Sequence, residues 1–112
     1  VLAGDILIGI KSSGFHSNGY SLLRKLFAHD LEKFKSELLE PTKLYHQSLK
    51  KLRQLGFHDK VHAASHITGG GIQNIPRVLP AGMGISLKPW TLTPIYQEVC
   101  KRTGKGFFEL AE

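Results

Sequence analysis

The sequence has little cysteine and no long apolar run. Its single cysteine, Cys100, excludes an internal disulfide and fits a reducing compartment. The longest apolar stretches, residues 6–10 and 22–27, are short or interrupted by charge and fall well below the ~20 residues that span a bilayer. No basic segment followed by an apolar one opens the chain, so we expect neither a signal peptide nor a membrane partner.

An initiator methionine is also missing from the start of the chain. Val1 leads into an apolar segment almost at once, so we expect a piece excised or processed from a longer protein. The 112 residues, 41% of them apolar, suffice for one compact domain with a small core. We therefore predict that residues 1–112 form a single domain.

The formal net charge of +6 leaves three classes of partner open: nucleic acid, a membrane surface, or a small polyanion such as a phosphorylated metabolite. The basic residues do not form one block but spread over two helical segments, as on a solvated helix face. They also lack interleaved aromatic residues, so we expect no nucleic-acid partner. The basic residues of these two segments are Lys33, Lys35, Lys43, Lys50, Lys51, Arg53 and Lys60.

Apolar periodicity predicts that strands and helices alternate along the chain. The predicted strands are residues 5–11 and 83–87, and residues 61–66 are predicted to be a short strand or a buried segment. The predicted helices are residues 18–28, 41–55, 72–79 and 95–102. This alternation favours an α/β or α+β sandwich.

The first of two glycine-rich turns, residues 12–19, lies between a predicted strand and a predicted helix. Its serine hydroxyls, Asn18 and bare glycine amides can bind an anion at a helix start. His16 can donate to an anion when protonated or transfer a proton near neutral pH. The alternative is a purely structural turn in which Gly14 supplies a positive φ and Ser17 caps the helix.

The second turn, residues 66–71, repeats this pattern. His66 ends a predicted strand, Thr68 supplies a hydroxyl, and three successive glycines clear a concave surface. Three glycines in a row are entropically costly to order, so a purely structural role explains them less well. Asn74 and Arg77 follow on a predicted short helix, and the pattern leaves open whether they face the site or solvent.

Signatures of a metal site and of a phosphate-binding P-loop are missing. The other four histidines lack metal-ligand spacing with Cys100 or with one another, so we predict no metal site. Residues 103–106 do not form a P-loop, because the spaced upstream glycine and the following Ser or Thr are absent. The four histidines are His29, His46, His58 and His62.

Three ordered blocks of sequence resemble one enzyme family. Residues 4–22 (GDILIGIKSSGFHSNGYSL), 39–45 (LEPTKLY) and 66–80 (HITGGGIQNIPRVLP) are similar to the C-terminal domain of aminoimidazole ribonucleotide synthetases, also called phosphoribosylformylglycinamidine cyclo-ligases. The three blocks lie in this order within residues 4–90. The likeness fails after residues 93–96, where the family continues into further strands.

The resemblance implies an enzyme of de novo purine biosynthesis. Members of this family use ATP, accompanied by Mg²⁺, to activate the formyl oxygen of formylglycinamidine ribonucleotide. An amidine nitrogen then closes the imidazole ring to give aminoimidazole ribonucleotide. The resemblance further implies a cytoplasmic homodimer whose N-terminal domain supplies most of the nucleotide site. It implies for this chain a layered α/β sandwich with a mixed sheet and helices, lacking some of the family's strands.

Carried over residue by residue, the resemblance makes His16 and His66 the candidate catalytic residues. The other motif residues are candidates for substrate or phosphate binding in one shared cleft. Because the N-terminal ATP-binding domain is absent, we expect the isolated piece to bind no cofactor and to turn over no substrate. The candidate binding residues are Ser13, Gly14, Ser17, Asn18, Gly19, Thr68, Gly69, Gly70 and Gly71.

Two alternatives remain open at this stage. One is another member of the same ATP-dependent superfamily, which would share the architecture but not the string at residues 16–22. The other is a non-catalytic basic binding module, which the net charge of +6 permits.

Overall fold

A computed structural model describes residues 1–111, and within that range the regular structure is entirely helical. Five α-helices are joined by irregular segments and by four short 3₁₀ turns. The α-helices are α1 (Tyr20–Leu26), α2 (Lys35–Leu38), α3 (His46–Gln54), α4 (Pro94–Thr103) and α5 (Phe107–Ala111). The 3₁₀ turns are Leu31–Phe34, His58–Lys60, Gly71–Asn74 and Pro76–Val78.

One apolar cluster forms the core, where α1, α2 and α4 meet. Leu23 and Phe27 are four residues apart, as are Ile95 and Val99, so each pair lies along one side of its segment. Phe27 is fully buried. Burial of these side chains is the main stabilisation of the fold, since apolar surface removed from water contributes about 25 cal/mol per Å². Phe15 and Leu38 complete the cluster.

Arg102 joins α4 to the segment that follows α1. Its guanidinium donates to the carboxylates of Asp30, at 2.5 and 2.9 Å, and Glu98, at 2.8 Å, and to the carbonyl of Leu26. The same group lies 4.3 Å from the ring centroid of Phe27, a cation–π distance. Hydrogen bonding to Arg102 lowers the pKa of both Asp30 and Glu98. A network of Arg102, Asp30 and Glu98 therefore covers the edge of the core.

The structure confirms helices in the predicted regions of α1 and α4. Pro94 begins α4, where its missing N–H needs no partner, and Gly104 ends it with a φ of +69°. The expected side-chain cap on α1 is wrong, because Gly19 occupies the N-cap position and no side chain bonds there. Gly14 does not supply a positive φ either; His16 and Gly19 do.

Two other helix predictions were too long. The helix predicted over residues 41–55 begins only at His46, because backbone groups of Pro41 and Lys43 bond the first glycine turn instead. The helix predicted over residues 72–79 is a pair of 3₁₀ turns. Pro76 begins the second of them, and its lack of an N–H prevents a continuous α-helix.

The predicted strands, and with them the layered sandwich with a mixed sheet, are wrong for the part of the chain that the structure describes. Residues 5–11, 61–66 and 83–87 are irregular. A strand exists only through hydrogen bonds to a second strand, and none of these segments has such a partner within residues 1–111. Ile6 and Ile8 are accordingly 87% and 84% exposed. The first two segments touch through side chains, where His62 Nδ1 lies 2.7 Å from the Asp5 carboxylate.

Several irregular segments, residues 5–11 among them, are exposed, and the molecule is extended. Its radius of gyration is 16.3 Å, compared with ~13 Å for a compact domain of about this length. Within residues 1–111 no helix has the length and apolar character to cross a membrane.

Candidate functional site

The first glycine turn is anchored in the core through Phe15. The Phe15 ring is buried and lies 4.5 Å from the ring of Tyr96, centroid to centroid. The hydroxyl of Tyr96 donates to the carbonyl of Gly14 at 3.4 Å. The backbone of this turn is therefore positioned by α4, more than seventy residues away in sequence.

His16 forms part of the framework of the first turn. It adopts a left-handed φ of +55°, which is uncommon for a residue with a side chain. Its Nε2 lies 3.2 Å from the backbone nitrogen of Ser13 and 3.3 Å from that of Lys43. Backbone N–H groups only donate, so Nε2 accepts and the neutral ring carries its proton on Nδ1. Within residues 1–111, Nδ1 is therefore the ring nitrogen that the turn does not engage.

The Ser13 hydroxyl is also engaged. It donates to the carbonyl of Pro41 at 2.7 Å and lies 3.1 Å from His16 Nε2. With His16, it fastens the first turn to the segment before α3. Ser17 is exposed, Asn18 is half-buried, and the backbone N–H of Asn18 donates to the carbonyl of Phe15. These contacts give the turn a fixed shape.

A groove of about 390 Å³ runs along the first turn. Residues 12–14 form one wall, residues 93–96 a second, and the third contains Ser36, Glu37 and Glu40. The Ser36 hydroxyl donates to the Glu37 carboxylate at 2.6 Å, and this bond lowers the pKa of Glu37. The groove therefore carries negative charge near neutral pH. A phosphate placed against this wall would be repelled.

The second turn is organised by Asn74, a residue whose role the sequence left open. Its side chain is only 5% exposed. Its Nδ2 donates to the carbonyl of Gly71 at 2.7 Å and lies 3.3 and 3.4 Å from those of Gly69 and Thr68. Gly70 and Gly71 both take a positive φ. The signal in the sequence was an amide side chain three residues beyond a triple glycine, in reach of several turn carbonyls.

The second turn does not line the first groove. A separate groove of about 280 Å³ begins at Ile72 and Gln73, just after the glycines, and is walled mostly by apolar side chains such as Leu87 and Phe108. His16 is half-buried and His66 is exposed. No hydrogen bond joins the two turns anywhere in residues 1–111. The structure thus brings Ser13, Gly14 and His16 together, and separately Thr68–Gly71 with Asn74.

The family model described as AIR synthase related protein, C-terminal domain, matches residues 3–104. The chain belongs to this family. Both glycine turns lie inside the matched range, as do α1, α3 and α4. The resemblance expected from the three sequence blocks is confirmed.

Curated relatives of this AIR synthase-related chain carry the name phosphoribosylformylglycinamidine cyclo-ligase. Proteins of that name from Bacillus thuringiensis (strain Al Hakam), Bacillus cereus (strain AH820) and Bacillus anthracis are each 44% identical to it over 126 residues. The alignment covers 96% of this chain but 36% of each relative. The chain therefore spans about a third of the length of the curated relatives that it matches.

The potential metal ligands of the AIR synthase-related chain are not grouped in the part that the structure describes. Within the residues that the structure describes, no group of three or more His, Cys, Asp or Glu side chains could hold a metal ion. The Mg²⁺ that the resemblance implies does not fit a site made by these residues alone, so we assign it no ligand among them.

Proposed function

We propose that this chain contributes the C-terminal part of an ATP-dependent cyclo-ligase. The enzyme would convert formylglycinamidine ribonucleotide to aminoimidazole ribonucleotide in de novo purine biosynthesis. The observation that carries the proposal is the 44% identity to the named cyclo-ligases across 96% of this chain. ATP would supply the phosphoryl group that activates the formyl oxygen, and the nucleotide site would lie mostly in the length that the relatives have in addition.

The first turn suits the uncharged or cationic part of such a substrate. The groove beside it is lined by Ser12, Glu37 and Glu40, which supply a hydroxyl and two carboxylates. An amidine is a planar group with several N–H donors, and carboxylates accept such hydrogen bonds well. In this proposal Ser13, Gly14, Ser17, Asn18 and Gly19 shape that end of the site.

The two histidines are proposed to act on protons during ring closure. His16 would present its Nδ1–H, because its Nε2 is bonded to the turn. His66 is exposed and makes no hydrogen bond within residues 1–111, so its ring can reorient toward a substrate. Positioned proton transfer of this kind contributes about 10²- to 10⁴-fold to a reaction rate.

The remaining expectations form part of the same proposal. Residues 1–112 would be one domain, the whole enzyme would be a cytoplasmic homodimer, and its substrate would be a small molecule. We favour the enzyme over a basic binding module because the cations of α3, such as Lys50 and Arg53, have no aromatic side chain within their helix. Nucleic acid and membranes are not proposed as partners.

A chimera tests the proposal. This chain replaces the matched third of the Bacillus cereus relative, and production of aminoimidazole ribonucleotide is followed with ATP present and absent. We expect ATP-dependent product, and a loss of about a hundredfold in kcat for His66→Ala. His29→Ala is the matched control, since His29 is exposed and lies outside both turns. A folded chimera that binds ATP but forms no product would contradict the proposal.

A further inference from the structure

Residues 5–11 form an apolar segment with a charge at each end and an unused backbone. Asp5 and Lys11 are its ends, and the residues between them carry no charge. Every residue of the segment is exposed, Ile6 and Ile8 almost completely. No backbone N–H or carbonyl between the two ends makes a hydrogen bond within residues 1–111. A segment of this kind can pair with a strand of another chain.

The two backbone edges of this segment differ. In a β-strand, successive residues direct their N–H and carbonyl groups to opposite edges. No residue from 5 to 11 has a positive φ, so the segment is compatible with a strand. The edge of the odd-numbered residues is already used at both ends. The Asp5 N–H donates to the carbonyl of Leu2 at 3.1 Å. The Lys11 carbonyl accepts from the Tyr45 hydroxyl at 3.3 Å. The edge of the even-numbered residues is therefore the one open to a partner.

The sequence of the segment is complementary to itself in the antiparallel direction. When two copies pair about a two-fold axis at Ile8, Ile6 faces Ile10 of the second copy. Asp5 then faces Lys11 of the second copy. The hydrogen-bonded pairs are the even-numbered residues, on the open edge. The two charges form a non-hydrogen-bonded pair, in which Cα atoms are only ~4.5 Å apart. A parallel pairing would instead place Asp5 beside its own copy, and like charges opposite each other destabilise a sheet.

The side chains of the segment are free to make these contacts. Asp5 binds other described residues through Oδ2, and its Oδ1 makes no hydrogen bond within residues 1–111. Lys11 forms no ion pair in the described part of the chain. No atom lies within 4 Å of the position that a Cβ on Gly9 would occupy, which leaves room for Leu7 of the second copy. Both the charges and the space therefore match an antiparallel copy.

We propose that residues 5–11 are a self-association surface, through which two copies of this chain pair as antiparallel strands about a two-fold axis at Ile8. The pairing closes at two copies and does not extend to a fibre, because the chain's own groups occupy the ends of the odd-numbered edge. The inference goes beyond the proposed function, since it requires neither ATP nor turnover. The homodimer that the resemblance implies for the whole enzyme is a separate expectation and names no surface.

The test is sedimentation equilibrium of the 112-residue chain between about 10 μM and about 1 mM, because one pair of short strands associates weakly. We expect the mass to rise from that of one copy to that of two and no further. Ile8→Lys places like charges opposite each other at the axis and should weaken association about tenfold. Leu44→Lys is the matched control; Leu44 is 77% exposed and lies outside the segment, so association should change less than about twofold.

The charged pair is tested by reversing one of its members. Lys11→Asp places two carboxylates opposite each other at both ends of the paired strands and should weaken association about fivefold. Lys51→Asp makes the same change of charge on the exposed surface of α3. It should not weaken association, because it leaves the pair intact and lowers the net positive charge of each copy.

Cysteine cross-linking tests the direction and register of the strands. Cys100→Ser is included in every variant, so that the introduced residue is the only thiol. Hydrogen-bonded pairs have Cα atoms ~5.5 Å apart, within the range of a disulfide, so Ile8→Cys should give a covalent dimer on mild oxidation. Ile6→Cys is the control, because the two copies of residue 6 would lie about 13 Å apart along the strands. Its covalent dimer should form at least about tenfold more slowly.

The inference is overturned if the chain sediments as one copy over the whole concentration range, or if its mass rises beyond two copies. It is also overturned if Ile8→Lys and Leu44→Lys weaken association equally, or if Ile6→Cys cross-links as fast as Ile8→Cys. Because none of these measurements requires turnover, each of these results leaves the cyclo-ligase proposal to be decided by the chimera.

Discussion

The first and second glycine turns are held by different interactions. Phe15 inserts the first turn into the apolar core, and Tyr96 of α4 packs against it. The second turn is held by the polar side chain of Asn74, and none of residues 66–71 belongs to the apolar cluster. The order of the first turn therefore depends on the whole fold, whereas the order of the second depends on a few local hydrogen bonds.

The difference means that two similar glycine-rich sequences differ in mobility. A turn seated in the core keeps a fixed shape, and the fixed walls around it place the carboxylates of Glu37 and Glu40. A turn held by one amide can open and close with little disturbance elsewhere. Three predictions test this contrast.

The largest effect is expected from removing the core anchor. Phe15→Ala should lower the free energy of unfolding by about 3 kcal/mol, because a large ring leaves the core and a cavity remains. Urea unfolding followed by circular dichroism measures this change. Phe57→Ala is the matched control; Phe57 is 51% exposed, and its loss should change stability by less than about 1 kcal/mol. Equal losses in the two variants would refute the core anchoring of the first turn.

A smaller and local effect is expected at the second turn. Gly70 has a φ of +89°, so Gly70→Ala should strain the turn by about 1 kcal/mol. Gly69 has no positive φ and open space around it, which makes Gly69→Ala the control. Amide exchange of Gly71, whose N–H donates to the Thr68 carbonyl, should accelerate about fivefold in Gly70→Ala only.

Exchange at Phe27 decides whether the strain is local. Its N–H donates to the carbonyl of Leu23 inside the core. We expect its exchange rate to be the same in both glycine variants. An equal acceleration of exchange at Phe27 would mean that the second turn is coupled to the core, and would contradict its local anchoring by Asn74.

The parts of the structure that were predictable from sequence are those that depend on near neighbours. The positions of Leu23 and Phe27 indicated α1, and Pro94 with Gly104 marked the ends of α4. The strands could not be predicted in the same way, because β-branched residues such as Ile6 and Ile8 favour a strand but do not provide its partner. Within residues 1–111 no strand forms, and both side chains are exposed.

The candidate site was predictable to a similar degree. The glycines near His16 and His66 indicated both turns as candidate sites, and the family resemblance of these segments is confirmed. The contacts were not predictable. The bond from Lys43 to His16 spans twenty-seven residues, and the choice of nitrogen on His16 follows from it. The orientation of Asn74 depends on the positive φ values of Gly70 and Gly71, which the sequence permits but does not require.

The smallest effect expected is the part of the pH dependence of stability that Arg102 contributes at the edge of the core. Arg102 lowers the pKa of Asp30 and Glu98 below their ordinary values of 3.8 and 4.5 by hydrogen bonding to them. A carboxylate with a lowered folded-state pKa stabilises the fold above its unfolded pKa, and that stability is lost as the pH falls through the folded-state pKa. Stability should therefore decline from about pH 4.5 downward, and the decline should be shallower in Arg102→Met.

Thermal unfolding between about pH 6 and pH 2.5 measures that slope. Arg53→Met is the control, because Arg53 has no carboxylate partner in the described residues and its loss should leave the slope unchanged. Asn74 is a neutral amide, and no carboxylate bonds to it or to Arg77. The Gly70 amide shift should therefore stay constant over the same range until the chain unfolds. A Gly70 amide shift that follows the titration of Asp30 would show that the second turn is coupled to the core. That result would contradict the separate anchoring of the two turns by Phe15 and Asn74.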